Sequence, residues 1–200
     1  AFANALQLAG KPLFGANMDV RVLTTDADPW PRRAEIKKIL AEFAQKADPA
    51  DVLLLYFSGH GVTYPPNSEK GQFYYLTTDV QDANLQDEAV RNSKTIAFDS
   101  LQAWIGQIHA LKRILILDAC NSGDVVDKLT QGEKSLGQDQ IRALQQMQDE
   151  SGLFVLAGSA ASKSSFEASR FGHGLLTYSL LNNMPRVAAE NPNGWVGVYN

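Results

Sequence analysis

The chain holds one cysteine in 200 residues, at position 120. A single thiol excludes an intrachain disulfide framework and a cysteine-based zinc site. Any apolar run near the roughly 20 residues that span a bilayer as a helix is also missing, so no membrane partner is expected. The first ten residues, AFANALQLAG, have no basic start followed by a long apolar stretch and do not read as a signal peptide. A basic surplus is absent too. Eighteen Lys and Arg stand against 22 Asp and Glu, a net charge of −4, and the cations are dispersed, which argues against a nucleic-acid partner. There is no initiator Met and the chain opens inside a helix-like pattern, so a fragment is expected, with further domains or subunits outside it. A lone free thiol is easiest to place in a reducing compartment, and a cytoplasmic setting is expected.

What is present is the composition of a globular domain: 44% hydrophobic and 20% charged residues. Two hundred residues can bury a core as one domain. Helix-period and strand-like segments alternate, the pattern of an α/β fold. Phe2, Ala5, Leu6 and Ala9 fall on one helical face, with Gly10 as the expected stop. DVRVLT (19–24) reads as a short strand, and Asp28-Pro29 signals a helix whose stripe is Ile36, Ile39, Leu40 and Phe43, broken at Asp48-Pro49. DVLLLYF (51–57) is a continuous apolar run, as for a strand buried on both faces, ending at Ser58-Gly59-His60-Gly61. FYYLTTD (73–79) reads as a strand or half a hairpin, and 80–95 as a loop. Asp99 or Ser100 is placed to cap a helix with Leu101, Trp104, Ile105 and Ile108 inward. RILILDA (113–119) is a second apolar strand and LFVLAGS (153–159) a third, with a helix over 174–184.

Apolar strands separated by helices imply a mainly parallel sheet, and such sheets bind ligands beyond the carboxyl ends of their strands. His60 and Cys120 each follow such an end, so on neighbouring strands both reach one rim. A thiol becomes a strong nucleophile once a base favours thiolate, and an imidazole can then protonate a leaving amine. The backbone amides of Gly61 and Cys120 would be placed as an oxyanion hole, and the glycines flanking His60 would leave room for a substrate backbone. Taken singly, Cys120 is more often a buried packing residue and His60 by default a turn histidine; together, each after a buried strand, they favour chemistry. His109, near Lys112 and Arg113, is explained by a helix C-terminus. His173 remains a rival base, although it precedes a helix rather than following a buried strand.

YFSGHG (56–61) and LDACNSG (117–123) resemble the His and Cys motifs of the caspase and metacaspase superfamily of cysteine peptidases. LAGSAASKSSFEASRFGHGLLTYSLL (156–181) is similar to the small-subunit region of that superfamily, and the Asp-Ala-Cys-Asn-Ser-Gly motif is nearer to metacaspases and their bacterial relatives than to animal caspases. The resemblance implies a three-layer α/β sandwich, a caspase-like fold with a mainly parallel six-stranded sheet whose first strand would precede Ala1. It implies one peptidase domain over 1–200: a large-subunit-like part (1–120), a linker (121–150) and a small-subunit-like part (151–200). His60 would be the general base and Cys120 the nucleophile of an endopeptidase acting on a protein or peptide, with the Gly61 and Cys120 amides holding the oxyanion.

Charge sets the expected specificity. By resemblance, Asp118 stands where caspases carry Gln, and Glu167 where a caspase substrate-binding Arg is expected. Anionic substrate side chains would meet like charge there, whereas Arg or Lys would gain a charge-assisted hydrogen bond, so cleavage after basic residues is expected. The alternatives are a strand-end carboxylate holding local amides for Asp118 and an exposed loop carboxylate for Glu167. Lys128, Lys134 and Arg142 are self-cleavage candidates if the linker is more than a solvated connection. No cofactor or metal is expected. Calcium activates some metacaspases, but Asp79, Asp82, Asp87 and Glu88 match no EF-hand spacing and read better as a solvated acidic loop. A non-catalytic interaction module is the main competing function, and a thiol hydrolase of small substrates the third.

Overall fold

The computed structural model describes residues 2–65, 72–80, 85–120, 153–157 and 175–190. In chain order these form α1 (Phe2–Phe14), α2 (Arg33–Lys46), β1 (Val52–Tyr64), β2 (Gln72–Leu76), α3 (Glu88–Lys94), β3 (Thr95–Ala97), α4 (Phe98–Gly106), β4 (Lys112–Cys120), β5 (Leu153–Ala157) and α5 (Leu175–Glu190). The five strands make one sheet in the order β3-β2-β1-β4-β5. The β1–β4 and β4–β5 pairs are parallel and the β1–β2 and β2–β3 pairs antiparallel. This is a mixed five-stranded sheet among the described residues, where a mainly parallel sheet of six, counting one strand before Ala1, was expected. Two local features shape it. FYYL pairs back on β1 as a hairpin partner, and residues 19–24 form no strand. In that segment Asp19 pairs with Arg21 at 2.6 Å and with Lys46 at 3.5 Å, and Arg21 reaches Glu42 at 3.7 Å. The segment therefore runs along the outer side of α2, with Val22 exposed and Leu23 turned to the core.

Successive strand residues face opposite sides, and β1 shows where each side goes. Leu53, Leu55 and Phe57 join Leu115, Leu117 and Leu153 in the main core, closed by Ile36 and Leu40 of α2 and by Leu101 and Ile105 of α4. Both helical pairs are four residues apart, one turn along a single face. Burying a side chain such as Leu115 or Ile105 contributes about 1.5–3 kcal/mol, and both are nearly inaccessible. On the other side of β1, the Tyr56 ring lies 4.3 Å from that of Phe2 in α1 and its hydroxyl meets Thr177 of α5. Helices thus cover both faces of the sheet.

Several boundaries differ from expectation for local reasons. Helix α1 runs past Gly10, which is buried with Met18 against its Cα, and ends at Gly15, where φ is +59° and the N–H donates to the Lys11 carbonyl at 2.9 Å. Within 80–95, read as a loop, Asp87 accepts from the Ala89 and Val90 amides at 2.8 and 3.4 Å and starts α3. Helix α4 ends at Gly106, so His109 lies in exposed coil before β4 rather than on a helix.

Strand β1 also continues through the expected stop at Ser58-Gly59-His60-Gly61. A Cβ on Gly61 would lie 2.2 Å from Phe73 Cζ, and one on Gly59 would lie 2.9 Å from Tyr75 Oη. Gly59 has φ +155°, open to glycine and rarely to other residues. These glycines admit the aromatic rings of β2; they do not end the strand.

Candidate active site

Strand β1 changes partner at His60. Its first part runs parallel to β4 from Val52↔Lys112 to His60↔Cys120. Its last part runs antiparallel to β2 from His60↔Leu76 to Tyr64↔Gln72. Among the described residues, His60 is the single β1 position in register with both neighbours, and its side chain is exposed. Cys120, sixty residues later, ends β4 directly beside it. The two expected catalytic positions are therefore adjacent in the sheet, although His60 sits inside a strand and not beyond its end. Gly61 is buried in register with Tyr75, and the space beside it holds Phe73. The room expected there for a substrate backbone is thus occupied on that face.

Asp118 lies two residues before Cys120, in register with Ser58, and is only 3% exposed. A carboxylate so deep needs donors. Thr177, in the first turn of α5, supplies two: its N–H donates to Asp118 Oδ2 at 3.0 Å and its hydroxyl donates to the same oxygen. First-turn amides lack intrahelical acceptors, and the helix dipole favours an anion there. Because the Thr177 proton goes to the carboxylate, the Tyr56 hydroxyl, 2.6 Å away, donates to Thr177 Oγ1. The result is a chain from Tyr56 through Thr177 to Asp118. Asp118 holds an amide 59 residues away. Sequence reasoning missed Tyr56 and Thr177. The available signal was a tyrosine inside an apolar run, whose hydroxyl must find a partner once the ring is packed.

Across the strand, the Tyr75 hydroxyl donates to the Ser58 carbonyl at 2.9 Å, and the ring meets Phe57 edge-on at 5.0 Å. Burial, with a smaller contribution from Tyr56, pushes the Tyr75 phenol up to about 12. The phenol therefore stays protonated and holds the Ser58-Gly59 backbone beneath His60.

Glu167, His173, Asp82 and the linker residues Lys128, Lys134 and Arg142 lie outside the described residues. Asp79 accepts from the Arg33 N–H at 2.8 Å and the Thr77 hydroxyl at 3.2 Å, and Asp87 is the α3 cap. Among the described residues no three His, Cys, Asp or Glu side chains converge as metal ligands. No helix among them is long and apolar enough to cross a membrane.

The chain is similar to known proteins along much of its length. The family model described as the caspase domain matches residues 4–193. Metacaspase-4 of Arabidopsis thaliana is 27% identical over 115 residues, covering 56% of this chain. The chain spans about a quarter (25%) of the length of that curated relative. A solved structure of a protein from Geobacter sulfurreducens aligns with a TM-score of 0.41 and 23% identity, over 74% of this chain and 54% of the other. With a match running through almost its whole length, His60 and Cys120 included, this chain belongs to the caspase-domain family of peptidases.

Proposed function

We propose that the chain is a cysteine endopeptidase in which Cys120 is the nucleophile and His60 the general base, with cleavage after Arg or Lys. The supporting observation is the register of His60 against Cys120 at the point where β1 exchanges β4 for β2. A Cys–His dyad requires a thiol and an imidazole at one place on a rigid support, and two neighbouring strands provide such a support. His60 takes the thiol proton as sulfur attacks the scissile carbonyl carbon. The carbonyl oxygen becomes an oxyanion that the Gly61 and Cys120 amides stabilise by roughly 2.7–4 kcal/mol each. On collapse the C–N bond breaks, and His60 returns the proton to the departing amine. Water, deprotonated by His60, then hydrolyses the thioester and frees the sulfur.

Asp118 supports the basic preference. Its negative charge is fixed two residues before the nucleophile, and Thr177 and the α5 terminus compensate its burial without cancelling that charge. A substrate Arg or Lys brought alongside would add a cation to that anion, and a substrate Asp would add a second negative charge. Glu167 is read as a further carboxylate of the same pocket. The same reading divides the chain into a large-subunit-like part through Cys120, a linker over 121–150 with Lys128, Lys134 and Arg142 as self-cleavage sites, and a small-subunit-like part over 151–200.

Reporter peptides ending in Arg, Lys or Asp, assayed with the parent and with Cys120→Ala, test this reading. Basic-peptide hydrolysis lost in the variant is expected. Cleavage of Asp peptides alone would refute the pocket assignment. No turnover of any peptide by the folded parent would favour an interaction module.

A further inference from the structure

A cleft of about 510 Å³, lined by neither His60 nor Cys120, lies between the start of α2, the turn after β2 and the end of α3. Trp30, Arg32, Arg33, Thr78, Asp79 and Lys94 line it. Three cationic residues and one carboxylate thus line it, and that carboxylate is engaged, accepting from the Arg33 amide and the Thr77 hydroxyl. No described carboxylate pairs with Arg32, Arg33 or Lys94. The Arg32 guanidinium lies 5.5 Å from the Trp30 ring centre and that of Arg33 lies 5.1 Å from Trp104, so both are held over aromatic faces.

The walls are tied to one another over long sequence distances. Arg33 Nε donates to the Thr95 carbonyl at 3.0 Å, the Thr77 hydroxyl to the Lys94 carbonyl at 2.6 Å, and the Thr78 amide to the Pro31 carbonyl at 3.3 Å. These bonds fix the Arg33 side chain and the backbone of the other walls before any ligand arrives.

We propose that this cleft binds the phosphate group of a small organic phosphate. Two guanidiniums and an ammonium match the charge of a phosphate monoester, and arginine forks suit its tetrahedral oxygens. The cleft volume exceeds that of a bare phosphate and falls within the range of small-molecule sites, and Trp30 offers the organic part an apolar wall. The proposal is independent of the peptidase reading. The site also has a route to it, because Thr77 and Thr78 directly follow Leu76, the β2 partner of His60.

Calorimetry and tryptophan fluorescence at constant ionic strength test it, with adenosine 5′-monophosphate, inorganic phosphate and adenosine as probes. Saturable binding of the nucleotide, competed by inorganic phosphate and absent for adenosine, is expected. Arg32→Glu and Lys94→Gln should each weaken it at least tenfold with unchanged circular dichroism. No saturable binding by the parent, equal binding of adenosine, or parent-like affinity in both charge variants would overturn the proposal.

Discussion

Asp118 and Thr177 join the end of β4 to the first turn of α5, with the Thr177 amide 3.0 Å from a carboxylate oxygen that is almost wholly buried. The bond links the strand that ends at Cys120 to a helix far along the chain, so the same carboxylate is a structural anchor and, in the proposed function, a source of pocket charge. These roles separate experimentally. Asp118→Asn keeps an acceptor for Thr177 and removes the charge. It should lower the kcat/KM for Arg and Lys reporters about tenfold or more while the urea midpoint falls modestly. Asp118→Ala removes the acceptor as well and should cost roughly 1.5–3 kcal/mol per lost charged hydrogen bond. Equal loss of stability and unchanged peptide preference in both variants would leave only the anchor.

Tyr56 extends that anchor to β1. Tyr56→Phe deletes a 2.6 Å hydrogen bond to Thr177 Oγ1 while leaving the ring against Phe2. The expected cost is about 0.5–1.5 kcal/mol in equilibrium denaturation. In a double-mutant cycle with Thr177→Val the effect should be strongly non-additive, because one chain of bonds is cut twice.

The sequence made much of this legible and concealed some of it for identifiable reasons. Continuous apolar runs located β1, β4 and β5, and the Asp48-Pro49 break located the end of α2. Gly59 and Gly61 were misleading because glycine signals both a turn and a close packing contact, and only coordinates reveal the Phe73 and Tyr75 rings against them. Helix α3 has seven residues, too few for an apolar period, and its visible mark was the Asp87 cap alone. The DVRVLT alternation resembled a strand, yet Asp19 and Arg21 are occupied by ion pairs along α2. The His60 and Cys120 positions were legible because each follows an apolar run. Their direct register was not, since strand pairing depends on topology that local sequence does not encode.

The aromatic packing gives its own test. Gly61→Ala places a methyl group 2.2 Å from Phe73 Cζ. Such overpacking typically costs about 1–3 kcal/mol, read as a lower denaturation midpoint. Shrinking the neighbour by Phe73→Leu in the same chain should recover part of the loss. Additive losses would show that the two positions do not compete for space.

Tyr75 sets an alkaline limit on stability. Its phenol is pushed up to about 12 in the fold by burial, against an ordinary value of 10.0 in the unfolded chain. Between those values the unfolded chain releases a proton that the folded chain keeps, so stability declines as pH rises. The contribution is complete below pH 10 and lost through about pH 12, amounting to up to about 3 kcal/mol. Denaturation midpoints across that window should fall in the parent and fall less in Tyr75→Phe. A parallel decline in both would assign the effect elsewhere.

The proposed dyad is tested most directly at its sulfur. With one cysteine in the chain, the rate of iodoacetamide alkylation reports Cys120 alone. In the folded parent, alkylation should already be fast well below the ordinary thiol value of about 8.5. In His60→Ala its pH profile should shift up toward that value. A native thiol that resists alkylation, or identical pH profiles with and without the imidazole, would contradict the pairing of His60 with Cys120.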